Sequence, residues 1–409
     1  MDGASLTDEV APGRARALAF LSLALVLAMS TWFSASAVVP ELRDEWGLGD
    51  TAAAWLTIAV QLGFVAGALA SSVLNLADVF SPRLVLLGGA LGAAGANGLV
   101  AAADGPEAAI PLRFATGFFL AGVYPPALKL MSTWYRRGRG TALGIVVGAL
   151  TLGSALPHLV NGLGGLEWQK VVYATSALTA AGGLVAVALV PEGPYRFARA
   201  RFDPRQAGLV FHNRGVRLAS LGYFGHMWEL YAMWAWFLVF VTASLEARGE
   251  PVGARAAYAT FAVIGVGAVG CWAGGVLGDR IGRTRTTAAM MAVSGACALG
   301  IGFLFEAPLW ALLAVGLVWG FAVVADSAQF STMVTELADQ TYVATALALQ
   351  LAVGFTLTVA TIWLVPYLED AVGWRYAFAF LAPGPALGVV AMLRLRGSPE
   401  AARIAHGLR

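Results

Sequence analysis

The chain is laid out as long apolar runs separated by short polar breaks. A bilayer-spanning helix needs about 20 apolar residues. Runs of that length fall at 17–39, 53–75, 84–103, 109–131, 141–162, 168–190, 218–243, 256–278, 286–305, 309–334, 342–366 and 374–393. Twelve transmembrane helices are therefore expected. The breaks are short except 191–217, which carries Pro191, Pro194 and Pro204 and six arginines and reads as a linker. The expected fold is all-α and integral to the membrane. Its expected parts are a bundle over 1–190, a cytoplasmic linker over 191–217 and a second bundle over 218–409.

The second half repeats the first. Asp78 and Asp279 each follow the second apolar run of their half, 201 residues apart. Gly117-Phe118 recurs as Gly320-Phe321 after 203 residues, and Thr141-Ala142-Leu143 as Thr345-Ala346-Leu347 after 204. Trp168 recurs as Trp374 after 206. Four landmarks in one order, with a slowly drifting offset, predict two pseudo-symmetric six-helix bundles around a central cavity. Membrane proteins built from such repeats bind their solute at the interface between copies.

Composition narrows the class. Of 409 residues, 59% are hydrophobic and 12% charged, where soluble domains carry about a quarter charged. The 49 glycines and 13 tryptophans also suit membrane helices and their interfaces. Cys271 and Cys297 both lie in apolar runs, so neither a disulfide framework nor a metal site is indicated. The chain has no phosphate-cradling glycine loop followed by Lys and Ser or Thr, no catalytic serine elbow and no metal cluster. An enzyme, an ATP-driven pump and a bound cofactor are not expected, nor is nucleic acid a partner.

Charge sets the orientation. Of the 26 lysines and arginines, 20 fall on the side that holds both termini, and five on the other side: Arg43, Lys170, Arg248, Arg255 and Arg375. Basic loops stay in the cytoplasm, so both termini are expected there, in a multi-pass protein of the cytoplasmic membrane. An even number of spans requires the same. Ala35-Ser36-Ala37 has the form of a signal-peptide cleavage site. The run before it is too long, however, and its removal would destroy the repeat, so the first run is expected to stay.

Two motifs carry a family resemblance. After the eighth run stands Gly275-Val276-Leu277-Gly278-Asp279-Arg280-Ile281-Gly282-Arg283. This resembles the G-x-x-x-D-R-x-G-R loop of the major facilitator superfamily. Gly275 permits close helix packing, Asp279 can accept from a neighbouring helix N-terminus, and the arginines can lock to acids on adjacent helix ends. The first-half copy keeps only Asp78 and Arg83, so the stronger latch is expected in the second half: Gly275, Asp279, Arg280, Gly282 and Arg283. Arg113-Phe114-Ala115-Thr116-Gly117 is similar to the family's R-x-x-x-G motif, whose Arg is often tied to proton coupling or substrate charge. The resemblance implies a secondary transporter that works as a monomer. The first run, Trp32-Phe33-Ser34-Ala35-Ser36, and the basic loop 134–140 are similar to the prokaryotic nitrate, nitrite and cyanate permeases.

Ionisable groups at bilayer depth cost about 2.5–3.5 kcal/mol at a helix centre, and they persist when paired or facing water. Arg113 would attract an anionic solute or govern a proton site, or else it bonds backbone carbonyls. His226 and Glu229 share a helix face at i, i+3 and could carry a proton, or form a static pair. Asp326 and Gln329 share a face in the tenth run. Trp32, Tyr124, Tyr231 and Trp236 are candidate cavity aromatics. Gly144, Gly148 and Gly153 form a packing face, and Glu336 is expected to pair with loop arginines. The expected function is proton-coupled transport of a small solute, possible anions included, by alternating access. The rivals are an efflux pump for lipophilic or cationic compounds and a non-transporting sensor on the same fold.

Overall fold

The computed structural model describes residues 11–74, 76–135, 138–163, 167–195, 203–339 and 342–408. All of the regular elements among them are helical. Ten helices are long and apolar enough to cross a membrane. They occupy the expected second, third and fifth to twelfth positions. Segment two is Asp50–Val73, three Pro82–Val100, five Arg139–Gly162, six Trp168–Leu189, seven Arg214–Ala247 and eleven Val343–Val372. Segment eight joins Gly253–Gly265 to Gly267–Ile281, nine is Arg283–Gly300 with a 3-10 turn, and ten joins Leu309–Ala325 to Ser327–Leu337. Segment twelve runs from Trp374–Ala377 through a 3-10 turn to Pro383–Arg396.

The first and fourth positions differ from the expectation of unbroken spans. Segment one is helical over Arg14–Ala28, turns irregularly over 29–35 and resumes as Ser36–Val38 and Val39–Trp46. Segment four is Pro106–Leu120 followed by Tyr124–Ser132. The break in segment four stands just before Pro125 and Pro126, which lack the N–H that would continue the ladder. The break in segment one is held open by side chains described below.

Apolar residues face both ways. Leu184, Leu387 and Trp310 are exposed at 58%, 69% and 74%, which is the surface a lipid-facing helix needs. Inside, glycines let backbones touch. A Cβ on Gly117 would lie 2.0 Å from the Val60 carbonyl oxygen, and one on Gly320 would lie 1.7 Å from that of Val263. A Cβ on Gly67 would meet the Phe118 carbonyl, and one on Gly270 that of Phe321. These contacts bind segment two to four and segment eight to ten, with each partner displaced by the same 203 residues. The repeated Gly-Phe landmark is thus a repeated backbone contact. Across the halves, Gly144 and Gly148 of segment five abut the carbonyls of Cys271 and Ala268 in segment eight. Gly153 packs on Val26 of segment one.

Candidate functional site

A cavity of about 360 Å³ lies between the two halves of the chain. Segments two, four, five, seven, ten and eleven wall it. It runs from Lys129, Ser132 and Thr335 at the arginine-rich end to Tyr231, Trp234 and Phe355 at its floor. The breaks in segments four and ten lie on this wall, where Tyr124 and Ser327 begin the second part of each.

Below the floor is an aromatic barrier contributed by both halves. The Trp32 ring stacks on Tyr231 at 5.8 Å and meets Phe64 at 4.9 Å and Phe355 at 5.7 Å. Phe33 packs on Tyr231 and edge-on to Trp234. Beyond the barrier is a second cavity of about 360 Å³, lined by Arg43, Asp50, Glu246, Glu369 and Trp236 among others. An Arg43–Asp50 ion pair lies at this end, as does the Thr51–Tyr367 hydroxyl contact of 3.0 Å between segments two and eleven.

The expected site residues divide between these places. Tyr124 and Tyr231 line the central cavity, and Trp32 closes it. Trp236 lines the far cavity and donates to the Ile362 carbonyl at 2.9 Å. Arg113 is fully buried and is not among the central cavity's lining residues. Its Nε donates to the Leu56 carbonyl at 3.2 Å, and its Nη1 to the Thr31 carbonyl, Ser34 Oγ and Asn97 Oδ1 at 2.9, 2.9 and 2.7 Å. Nη2 donates to the Trp32 carbonyl at 2.5 Å. Unwinding 29–35 frees carbonyls that a helix would use, and the guanidinium fork takes them. Arg113 therefore shapes the stretch that places Trp32 and Phe33 in the barrier.

His226 and Glu229 share a helix face but not a partner. His226 Nδ1 lies 2.9 Å from Asp326 Oδ1, a close electrostatic contact off the hydrogen-bond axis, with both side chains buried. Glu229 accepts from Ser294 Oγ at 2.6 Å and from Trp319 Nε1 at 2.7 Å. Gln329 turns from Asp326 toward the loop motif. Its Oε1 accepts from Arg283 Nη1 at 2.9 Å and its Nε2 donates to the Gly274 carbonyl at 3.2 Å.

The second-half loop motif is engaged. Asp279 Oδ2 accepts from Thr141 N at 3.1 Å and Thr141 Oγ1 at 3.0 Å. Thr141 lies in the first turn of segment five, where N–H groups lack intrahelical partners and the helix dipole favours an anion. Arg283 pairs with Asp279 at 3.3 Å and with Glu336 at 3.0 Å, and Glu336 also accepts from Ala405 N. Gly282 adopts φ +99°, a left-handed conformation that lets segment nine begin one residue after segment eight ends. Gly275 packs against Gly140 and Thr141. Arg280 is exposed and Arg83 half-buried. The side chain of Asp78 lies outside the described residues. At the start of segment eleven, Thr345 Oγ1 accepts from Asp203 N at 3.0 Å.

Sequence reasoning missed Gln350, Phe355 and Thr141 as functional neighbours. Thr141 carried a signal, since it opens a repeated triplet. Gln350 and Phe355 carried none, because which face of segment eleven looks inward depends on its packing.

The match to a family model decides the class. Residues 21–349 match the Major Facilitator Superfamily. The chain belongs to that superfamily. It is a multi-pass membrane transporter, of a kind that carries small molecules, usually as a single chain, and is generally not an enzyme. It is 31% identical over 33% of its length to the puromycin resistance protein pur8 of Streptomyces alboniger, 27% of which is covered. It is 28% identical over 47% of its length to the putative uncharacterized transporter YgaY of Escherichia coli, covering 49% of that protein. A probable actinorhodin transporter of Streptomyces coelicolor is 28% identical over 42% of the chain and 30% of its own length. The matches thus span half or less of these relatives. The human organic anion transporter MFSD10 has the same fold, with TM-score 0.68 at 14% identity over 93% of this chain and all of the other.

Proposed function

We propose that the protein exports small lipophilic aromatic compounds from the cytoplasm by alternating access. Two six-helix bundles rock about the central cavity, and a proton gradient drives them. The observation that carries this reading is the wall of the cavity. It is mainly aromatic and aliphatic, with Ser and Thr hydroxyls, Gln350 and, at the mouth, Lys129, and its lining residues include no Asp, Glu, Arg or His among the described residues. Such a wall gains affinity by covering apolar and ring surface. The positive-inside rule turns the arginine-rich mouth to the cytoplasm, which suits capture for export. The names of two relatives, a puromycin resistance protein and an actinorhodin transporter, support the same direction.

The anion reading loses its carrier, because all the Arg113 donor nitrogens are taken by protein oxygens. The aromatics and serines of the first segment, which resemble those of the nitrate-type permeases, build the barrier and the Arg113 site. Coupling is assigned to His226 and Asp326, two ionisable groups in contact beside cavity residues Met227 and Ser327.

Uptake of an aromatic dye into everted vesicles carrying the protein tests this. Accumulation that follows an imposed inward-acid pH gradient and collapses with a protonophore is expected. Accumulation of inorganic anions, with aromatic compounds ignored, would overturn it.

A further inference from the structure

The floor of the central cavity is largely apolar, and two of its buried polar atoms, both donors, stand without a partner. Tyr124, Tyr223 and Tyr231 all line it. Trp234 and Gln350 line it too, at 0% and 3% exposure, and Trp234 Nε1 and Gln350 Nε2 are buried without a partner. An indole N–H and an amide NH₂ can only donate, and a phenol can donate or accept. No carboxylate stands among the described lining residues to attract a cation, and Lys129 stands at the mouth. A buried donor left unpaired is costly, so Trp234 Nε1 and Gln350 Nε2 favour a ligand that brings oxygen acceptors to them.

We infer that this floor is a donor-rich subsite that selects uncharged aromatic ring compounds bearing carbonyl oxygens over cationic compounds of the same ring size. The inference rests on the export reading and narrows its substrate class. The rings stack on Tyr231 and Phe355, while carbonyl oxygens accept from Trp234 Nε1 and Gln350 Nε2. Loss of an acceptor leaves both donors dry, which is why such sites reject an analogue lacking the oxygen more strongly than size alone would.

The test uses three probes on one ring frame: fluorenone, fluorene and protonated aminofluorene. Each is titrated against the full chain in detergent, with thermal stabilisation and tryptophan quenching as readouts. Fluorenone is expected to bind at least roughly ten-fold tighter than either of the others, since one well-placed hydrogen bond in a dry site is worth about a factor of ten. Trp234→Phe keeps the ring and removes the donor, and Gln350→Met keeps the bulk. Each should erase most of the fluorenone preference without weakening fluorene. Gln350→Glu is the second line of evidence should either fold poorly, and it should transfer the preference to aminofluorene. Aminofluorene binding tightest to the unmodified protein, or fluorenone and fluorene binding equally to it, overturns the inference and leaves export intact. A fluorenone preference unchanged in these variants also overturns it. Absence of dye uptake in vesicles by a protein that still prefers fluorenone would instead remove the export reading alone.

Discussion

Asp279, in the loop between segments eight and nine, is hydrogen-bonded through one carboxylate oxygen to both the backbone N–H and the hydroxyl of Thr141. The two residues belong to opposite halves of the chain, 138 positions apart. The contact joins a charged group to donors that the helix cannot use, so it holds the arginine-rich end of segment five against segment eight. The space around it is exact enough to exclude a methyl group, since a Cβ on Gly140 would lie 2.4 Å from Asp279 Oδ1.

Asp279→Ala should therefore weaken the closed contact by about 1–3 kcal/mol, the range for hydrogen bonds to a charged group at a partly exposed site. Thermal unfolding in detergent should register a lower midpoint. A cysteine placed at Thr141 should react faster with a water-soluble maleimide when Asp279 is Ala than when it is Asp. Equal reaction rates in the two backgrounds would show that the carboxylate does not hold this interface.

Much of this was legible in the sequence. The apolar runs marked ten of the long helices because length and composition suffice for that, and the loop motif marked Asp279 and Arg283 because they stand four positions apart at one helix junction, while Glu336 was expected beside the loop arginines from its place at the end of segment ten. Two kinds of feature were not legible. Arg113 reads equally well as a solute-binding charge or a backbone ligand, and only the unwinding of 29–35, whose Thr31, Trp32 and Ser34 lie 79–82 positions away in the sequence, decides between them. Likewise His226 and Glu229 stand at the right spacing to face one another's neighbours, yet Asp326, Ser294 and Trp319 come from other segments and divide the pair. Helix-face arguments assign a direction; they do not supply the partner.

Arg113→Lys should behave as a folding defect and not as a change in substrate charge preference. One ammonium carries three donors, while Arg113 meets five acceptors from three segments. Some of these acceptors, the Thr31 and Trp32 carbonyls of the unwound stretch among them, would lose their partner, at about 1–3 kcal/mol each. Size-exclusion profiles and unfolding midpoints should fall well below those of the unmodified protein. A well-folded Lys variant with an altered preference between anionic and neutral compounds would return Arg113 to the solute.

The glycine contacts predict a matched pair of failures. Gly117→Ala and Gly320→Ala each drive a methyl group into a backbone carbonyl, at 2.0 and 1.7 Å, and rigid helices cannot give that distance. Both should reduce the yield of monodisperse protein sharply. Gly265→Ala, whose added Cβ meets nothing closer than 3.6 Å, should be tolerated and even gain a few tenths of a kcal/mol up to about 1 from helix propensity. Comparable yields for all three would show that segments two and four, and eight and ten, do not pack as closely as described.

The two buried carboxylates among the described residues, Glu229 and Asp326, should separate in function. Glu229 has both oxygens satisfied, by Ser294 and Trp319, and Gln at this position can accept from Trp319 while the Ser294 hydroxyl turns to accept from its amide. Glu229→Gln should therefore keep both stability and gradient-driven transport, whereas Glu229→Leu strands two buried donors and should cost about 2–4 kcal/mol. Asp326 touches His226 without a well-aligned hydrogen bond. Asp326→Asn should leave substrate exchange across proteoliposome membranes intact and abolish accumulation driven by an imposed pH gradient. The contrast is the informative result, because a purely structural Asp326 would lose exchange and accumulation together. If Glu229→Gln were the variant that uncoupled, the proton would have to pass through the Ser294–Glu229–Trp319 cluster, and the His226–Asp326 contact would be left as a helix-packing device.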